Sequence, residues 1–239
     1  AWDRMLKRIQ KCCNYAQKLN VRMLIDAEES WVQDAIDEIA EGLMEEYNRE
    51  QTLIFTTVQM YRKDRLSYLE YLLQKAEKKG FTIGIKLVRG AYIEKENKRA
   101  QNRGIPSPIC ESKKATDRNF DAGLDLILPK VDRCNLFIGS HSESSILKVT
   151  QWMKAHQLPN NHPTVWFSQL YGMADHISFN LASSGYQVVK YVPYGPVKEV
   201  IPYLIRRAEE NTSVSGQTPR ELDLIRKEIT RRKLKEVAY

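Results

Sequence analysis

The chain has 239 residues, of which 42% are hydrophobic, and 37 Lys and Arg against 30 Asp and Glu give a formal charge of +7. This is enough for one large packed domain or two small ones. No apolar run approaches the roughly 20 residues of a membrane-spanning helix, and no basic block is interleaved with aromatic residues, which argues against nucleic-acid binding. The 4 cysteines lack zinc-type spacing and no secretory signal precedes them, so we expect a reduced, intracellular protein.

Apolar periodicity predicts that helices alternate with strands along the chain. We expect helices over residues 3–19, 31–48, 64–79, 113–128, 144–156 and 174–184. We expect strands near residues 21–25, 53–58, 81–88, 135–139, 164–167 and 186–192. A further helix starts at Val197 with an apolar stripe facing a core and with Pro202 as a kink. A basic helix follows Thr218.

Strands and helices that alternate without hairpin turns predict a parallel sheet with crossover helices. A barrel and a doubly wound open sheet both fit, and the placement of polar residues favours the barrel. Candidate site residues spread over many strand ends, as in a (β/α)8 barrel, whereas an open sheet gathers them at one crevice. The residues at these ends are Asp26, Gln59, Lys86, Arg89, Tyr92, His141, Gln169, Leu170 and Tyr191. No phosphate-binding glycine motif occurs, and we count six strand–helix units where a closed barrel needs eight.

Two adjacent arginines, Arg206 and Arg207, stand in the helix that follows Gly195 and Pro196. They are about 100° apart around a helix, so they are able to converge on one anion. A guanidinium group binds a carboxylate through two parallel hydrogen bonds, and Glu210 follows Arg206 at a spacing that allows it to hold that arginine. The alternative is a solvated charge cluster on an amphipathic helix.

Five segments in order resemble the proline dehydrogenase family, and the resemblance runs from about Val21 to Asn211. They are Ile25–Glu28, Lys86–Tyr92, Gln169–Met173, Tyr191–Gly195 and Arg206–Asn211. The amino-acid sequences of these segments resemble the eukaryote-like, single-activity branch more than the long bifunctional bacterial proteins. The resemblance implies an FAD-dependent (β/α)8 barrel of proline catabolism.

The resemblance also implies how the chain is divided. Residues 1–211 correspond to a partial flavin-binding barrel, strands three to eight, and residues 212–239 to a basic helical tail. In the family, the strand before these supplies a lysine that pairs with the aspartate equivalent to Asp26. The chain is therefore expected to be a fragment of a longer protein.

The implied reaction is oxidation of L-proline to 1-pyrroline-5-carboxylate, with a hydride passing to flavin N5 and electrons passing on to a quinone. The residues implied for catalysis are Asp26, Tyr191, Arg206 and Arg207. The substrate ring is boxed by Tyr92, Leu170 and Tyr191, and its carboxylate is clamped by Arg206 and Arg207 with Glu210 beside them. The residues implied for binding FAD are Gln59, Lys86, Arg89, Gly90, His141, Gln169 and Lys190. For each of them a packed or solvated residue is the alternative.

Partners and location follow from the same resemblance. They are L-proline, a quinone, a membrane surface contacted peripherally and a pyrroline-5-carboxylate dehydrogenase that receives the product. The expected location is the matrix side of the mitochondrial inner membrane, or the cytoplasm or inner-membrane surface of a bacterium. The alternatives are a hydroxyproline dehydrogenase of the same fold and a non-catalytic fragment that serves as an interaction module. A metal site is not expected, because His141 is the one histidine at a strand end.

Overall fold

The computed structural model describes the backbone of residues 2–213 and 217–236, and the side chains of residues 2–205, 222–224 and 226–232. The helices in these residues are α1 (Trp2–Leu19), α2 (Ser30–Tyr47), α3 (Arg65–Lys79), α4 (Ile93–Arg103), α5 (Lys113–Ile127), α6 (Glu143–Ala155), α7 (Asp175–Ser183), α8 (Val197–Ser213) and α9 (Gln217–Glu236). The strands are β1 (Met23–Ile25), β2 (Ile54–Gln59), β3 (Ile83–Val88), β4 (Cys134–Gly139), β5 (Val165–Leu170) and β6 (Val188–Tyr191).

The six strands form one parallel sheet in the order β1-β2-β3-β4-β5-β6. Each strand pairs with the next strand along the chain, so every crossover connection adds the next strand on the same side of the sheet. A doubly wound sheet would contain a reversal of this order. Sequential order in a parallel sheet is the arrangement of a (β/α) barrel, as the sequence predicted.

The two faces of the sheet differ in what they pack against, because alternate residues of a strand point to opposite faces. Ile85, Leu87, Ile138 and Phe167 on one face join the main hydrophobic core with helix residues such as Phe120. Burying each such side chain contributes about 1.5–3 kcal/mol. This face is therefore the outer, helix-covered face of the barrel wall.

The opposite, concave face carries polar and aromatic residues in one row across the sheet. Thr57 of β2 is in register with Lys86 of β3, and Lys86 is in register with Phe137 of β4 and through it with Trp166 of β5. Residues opposite one another in a parallel ladder point to the same face. Lys86, a residue implied for binding FAD, thus faces the inside of the barrel wall.

The charged segment after Tyr92 is a regular helix, α4, which ends at Gly104 in a left-handed conformation. One expectation needs correction. The apolar stripe of α8 does not face a core in the described part of the chain, since Val197, Ile201 and Ile205 are 72%, 47% and 52% exposed. The stripe is exposed because α8 follows β6, the last strand in the sheet order. Pro202 lies inside α8, which is assigned as continuous through it.

Within the described residues, no helix combines the length and the apolar character needed to cross a bilayer.

Candidate active site

The pair Lys86 and Asp26 lies on the concave face at the carboxyl ends of the first strands. Asp26 directly follows β1, and the Lys86 Nζ donates to its Oδ1 atom across the intervening strand β2. The Lys86 side chain is 14% exposed and that of Asp26 is 53% exposed. The Lys86 ammonium group is therefore held inside the barrel wall, whereas the Asp26 carboxylate is half exposed to solvent.

Tyr92 is held by Glu28, which lies two residues after Asp26. The Tyr92 hydroxyl donates to Glu28 Oε2 at 2.7 Å. The Gln59 amide joins the two segments that carry these residues, donating to the Glu28 carbonyl at 2.8 Å and accepting from Ala91 N at 3.3 Å. The structure therefore brings Asp26 and Lys86 into direct contact. It connects Gln59 and Tyr92 to them through Glu28, which lies in the segment that follows Asp26.

An aromatic wall follows the same face toward the later strands. The rings of Phe55 and Phe137 meet edge to face with centroids 5.1 Å apart, and Phe137 stacks on Trp166 at 5.6 Å. The Arg22 guanidinium lies 4.6 Å from the Trp166 ring centroid, and burial lowers its pKa. The concave face thus combines an apolar surface with a cation, Lys86.

Three of the residues predicted to contact the cofactor form hydrogen bonds on the helix-facing side. Arg89 donates to Asp117 at 2.6 Å and lies 4.3 Å from the ring centroid of Phe120 on α5. Gln169 accepts from Ser178 of α7 at 3.0 Å, and Lys190 donates to Asp175 at the start of α7 at 2.7 Å. These contacts fix the strand ends to the helices, and the cofactor roles of these residues stay predictions.

Gly90 shapes the turn between Arg89 and Tyr92. It has φ of +129°, and a Cβ atom added to it would collide with the ring of the fully buried Tyr61. Burial raises the pKa of Tyr61, so its phenol stays protonated. Glycine is therefore required here to carry the chain over Tyr61 toward the site.

The last strand brings further predicted residues to the same end of the sheet. Tyr191 is in register with Leu170 of β5, and its ring lies 5.7 Å from that of Tyr203 on α8.

The side chains of Arg206, Arg207 and Glu210 lie outside the described residues, so the clamp predicted for them stays a prediction. His141 follows β4 in the segment before α6, and its predicted role is likewise untested.

Sequence reasoning assigned no role to Glu28, Tyr203 or Thr57. Glu28 had a usable signal, because it lies two residues after Asp26 in an extended segment and therefore on the same side. No sequence signal points to Tyr203 or Thr57. Tyr203 is identified by a ring contact between two elements and Thr57 by the register between two strands, and neither is encoded in a local sequence pattern. In the part of the chain that the structure describes, no group of three or more His, Cys, Asp and Glu is placed to hold a metal ion.

The sequential parallel strands and the site at their carboxyl ends place the protein in the class of (β/α)-barrel proteins. Residues 4–220 match the sequence profile of the family described as Proline dehydrogenase. The chain belongs to the proline dehydrogenase family, which confirms the resemblance read from the five segments.

Two relatives in particular are similar to this chain over nearly its whole length. Mitochondrial proline dehydrogenase 1 of Caenorhabditis elegans is 39% identical over 95% of this chain, which spans 38% of that protein. Hydroxyproline dehydrogenase of Xenopus laevis is 38% identical over 95% of this chain, which spans 50% of that protein. The chain therefore spans half or less of the length of these relatives.

A solved structure confirms the barrel fold. Proline utilization A of Bdellovibrio bacteriovorus, inactivated by N-propargylglycine, superposes with a TM-score of 0.82 and 26% identity. The match covers 90% of this chain and 23% of that one.

Proposed function

We propose that the chain is the barrel portion of an FAD-dependent enzyme that oxidises L-proline to 1-pyrroline-5-carboxylate. The observation that carries this proposal is the Lys86–Asp26 pair on the concave face, in a chain whose residues 4–220 match the proline dehydrogenase family. A cation and a carboxylate side by side suit an amino acid whose ring carbon gives up a hydride while the neighbouring nitrogen gives up a proton.

The residues present fit a flavin ring system. Such a ring is planar and largely apolar, and its edge bears hydrogen-bonding atoms. The concave face offers the aromatic wall of Phe55, Phe137 and Trp166, with Lys86 in register beside it. The Thr57 hydroxyl, next to Lys86 in the ladder, is buried without a hydrogen-bond partner among the described residues.

The chain's own residues supply position and charge. The chemistry that FAD supplies when bound is acceptance of a hydride from the ring carbon beside the substrate nitrogen. Lys86 then places a positive charge where negative charge develops, which stabilises the transition state. Asp26 accepts a hydrogen bond from the substrate amine, and Arg206 and Arg207 hold the carboxylate through paired hydrogen bonds.

Tyr92, Leu170 and Tyr191 complete the proposed site as walls for the apolar substrate ring. Holding the ring in one orientation converts the hydride transfer into a reaction between prearranged groups. Gln59, Arg89, Gly90, His141, Gln169 and Lys190 are proposed to contact the cofactor or to fix the segments that do.

Hydroxyproline is the second candidate substrate. The specific reason is that a hydroxyproline dehydrogenase and a proline dehydrogenase match this chain at 38% and 39% identity. Identity alone does not separate the two activities. Tyr191 favours proline, because an aromatic wall gives a ring hydroxyl no room or partner.

We extend the proposal to partners and location. Electrons pass from the flavin to a quinone, and the product passes to a pyrroline-5-carboxylate dehydrogenase. A mitochondrial location is supported by the name of the Caenorhabditis elegans relative, with the inner-membrane surface as the site of peripheral contact.

Steady-state assays test this function. The chain purified with FAD is assayed with L-proline and with trans-4-hydroxy-L-proline, using a soluble quinone analogue as acceptor. We expect kcat/KM for proline to exceed that for hydroxyproline at least about tenfold, the loss expected from one unpaired buried hydroxyl. The reverse preference would support the second candidate. Activity with neither, in a chain that binds no flavin, would support a non-catalytic interaction module.

A further inference from the structure

Glu96, on α4, is buried to 1% exposure and is not part of the proposed substrate or flavin contacts. Its carboxylate accepts from Ser30 N at 2.6 Å and from Ser30 Oγ at 2.7 Å. Within the described residues, no Lys, Arg or His forms an ion pair with it. A buried carboxylate without a cation is costly, and here neutral donors at the positive N-terminal end of α2 compensate for it.

These contacts join two segments at the rim of the barrel. Ser30 begins α2, directly after the segment of Asp26 and Glu28, and Glu96 lies in the first turn of α4, directly after Tyr92. An ion pair between Lys95 and Glu29 links the same two segments. The Arg99 guanidinium also lies 4.2 Å from the ring centroid of Trp31. The starts of α2 and α4 are therefore fastened to each other residue by residue.

The contacts between the starts of α2 and α4 form a closed ring around Tyr92. The Glu96 amide donates to the Tyr92 carbonyl at 2.9 Å, and the Glu96 carboxylate holds Ser30. Two residues before Ser30, Glu28 accepts from the Tyr92 hydroxyl at 2.7 Å. Tyr92 is thus fixed at its main chain by Glu96 and at its phenol by Glu28, and Ser30 connects the two.

We propose that Glu96 is a positioning residue for the substrate wall: by fixing Ser30 to the first turn of α4, it holds the Tyr92 ring in its place in the site. The inference rests on the proposed function for its kinetic consequence. Tyr92 contacts the substrate ring, and Glu96 acts on the substrate through Tyr92.

This role predicts an effect on substrate binding more than on turnover. Loss of the carboxylate frees Tyr92 to sample several rotamers, and binding must then select one of them. For Glu96→Ala we expect the KM for L-proline to rise about tenfold, the size of one lost charge-assisted hydrogen bond, with kcat changed less than about threefold. Glu96→Gln, which keeps the shape and one acceptor oxygen, is expected to recover most of the change.

A double-mutant cycle separates positioning from general damage. In a Tyr92→Ala background there is no ring to position, so Glu96→Ala is expected to leave KM unchanged there. The matched control is Glu94→Ala, which removes an exposed acid from the same turn of α4 and is expected to leave both constants unchanged. A merely structural role would lower the active fraction and leave the KM of the remaining enzyme unaltered. Equal effects of Glu96→Ala in both backgrounds would overturn the proposal.

A second measurement does not depend on activity. In the substrate-free chain labelled with 3-fluorotyrosine, the ¹⁹F signal of Tyr92, assigned by Tyr92→Phe, is expected to be shifted or broadened by Glu96→Ala and not by Glu94→Ala. An unchanged signal would overturn the positioning role, whatever the chain oxidises. If the signal changes and the wild-type chain oxidises neither proline nor hydroxyproline, the proposed function fails while the positioning of Tyr92 stands.

Discussion

Lys86 and Asp26 form an ion pair across an intervening strand, with the lysine 14% exposed and the aspartate 53% exposed. The half-exposed carboxylate makes the pair weak as a contribution to folding, since such pairs are worth about 0–1 kcal/mol. The cation lies inside the barrel wall, in register with Phe137, where the proposed function gives it a role that stability does not.

Replacing Lys86 by methionine separates these two contributions. We expect Lys86→Met to change the free energy of unfolding by less than about 1 kcal/mol, because Asp26 stays solvated without its partner. Turnover of the flavin-loaded chain is expected to fall about 100-fold, the usual effect of removing one preorganised charge from a transition state. The measurements are urea unfolding and kcat with L-proline. Lys86→Arg, which keeps the charge, serves as the control; equal loss in both variants would argue against a charge effect.

Gly90 is expected to tolerate no side chain. Gly90→Ala places a Cβ atom against the Tyr61 ring at φ of +129°, and we expect a loss of about 3 kcal/mol or more in the free energy of unfolding. The matched control is Gly104→Ala, where φ is +61° and no atom lies within 4 Å of the added carbon. That variant should lose about 1 kcal/mol, from backbone strain alone. Similar losses at both positions would show that the Tyr61 contact is unimportant.

The positions of the strands and their polar carboxyl ends could be predicted from sequence, because both depend on local pattern. Periodicity located all six strands, and the acids after β1 and the motif from Lys86 to Tyr92 pointed to one rim of the sheet. The exposed stripe of α8 could not be predicted, since apolar spacing specifies a face and not the partner that covers it. Nor could the role proposed for Glu96, because that role depends on Ser30, which lies 66 positions away in sequence.

A buried charge network between α2 and α3 is expected to dominate stability. Arg65 donates to Asp37 at 2.6 Å with both side chains less than a tenth exposed, and burial raises the pKa of Asp37. Arg65→Met leaves that carboxyl buried without its cation, which should cost about 3–5 kcal/mol. Lys79→Met, which breaks an exposed pair with Glu45, should cost less than about 1 kcal/mol. Chemical unfolding of both variants makes the comparison, and a loss at Arg65 no larger than at Lys79 would contradict it.

The cysteines are expected to differ sharply in reactivity. Burial raises the pKa of Cys13 to about 11 and that of Cys134 to about 12, and both are fully buried. Because the thiolate is the reactive form, iodoacetamide at pH 8 should modify the exposed Cys12 and leave Cys13 and Cys134 intact. Mass spectrometry of the native and the urea-unfolded chain measures this. Modification of Cys134 at the rate of Cys12 in the native chain would show that this part of the core opens.

In the proposed function this barrel wall places L-proline against a flavin. The most direct measurement is an anaerobic titration of the flavin-loaded chain with L-proline, followed by the visible absorbance of the flavin. We predict complete bleaching in the wild-type chain and much slower bleaching in the Lys86→Met variant. A chain that holds flavin and keeps its full colour at saturating L-proline would contradict the account.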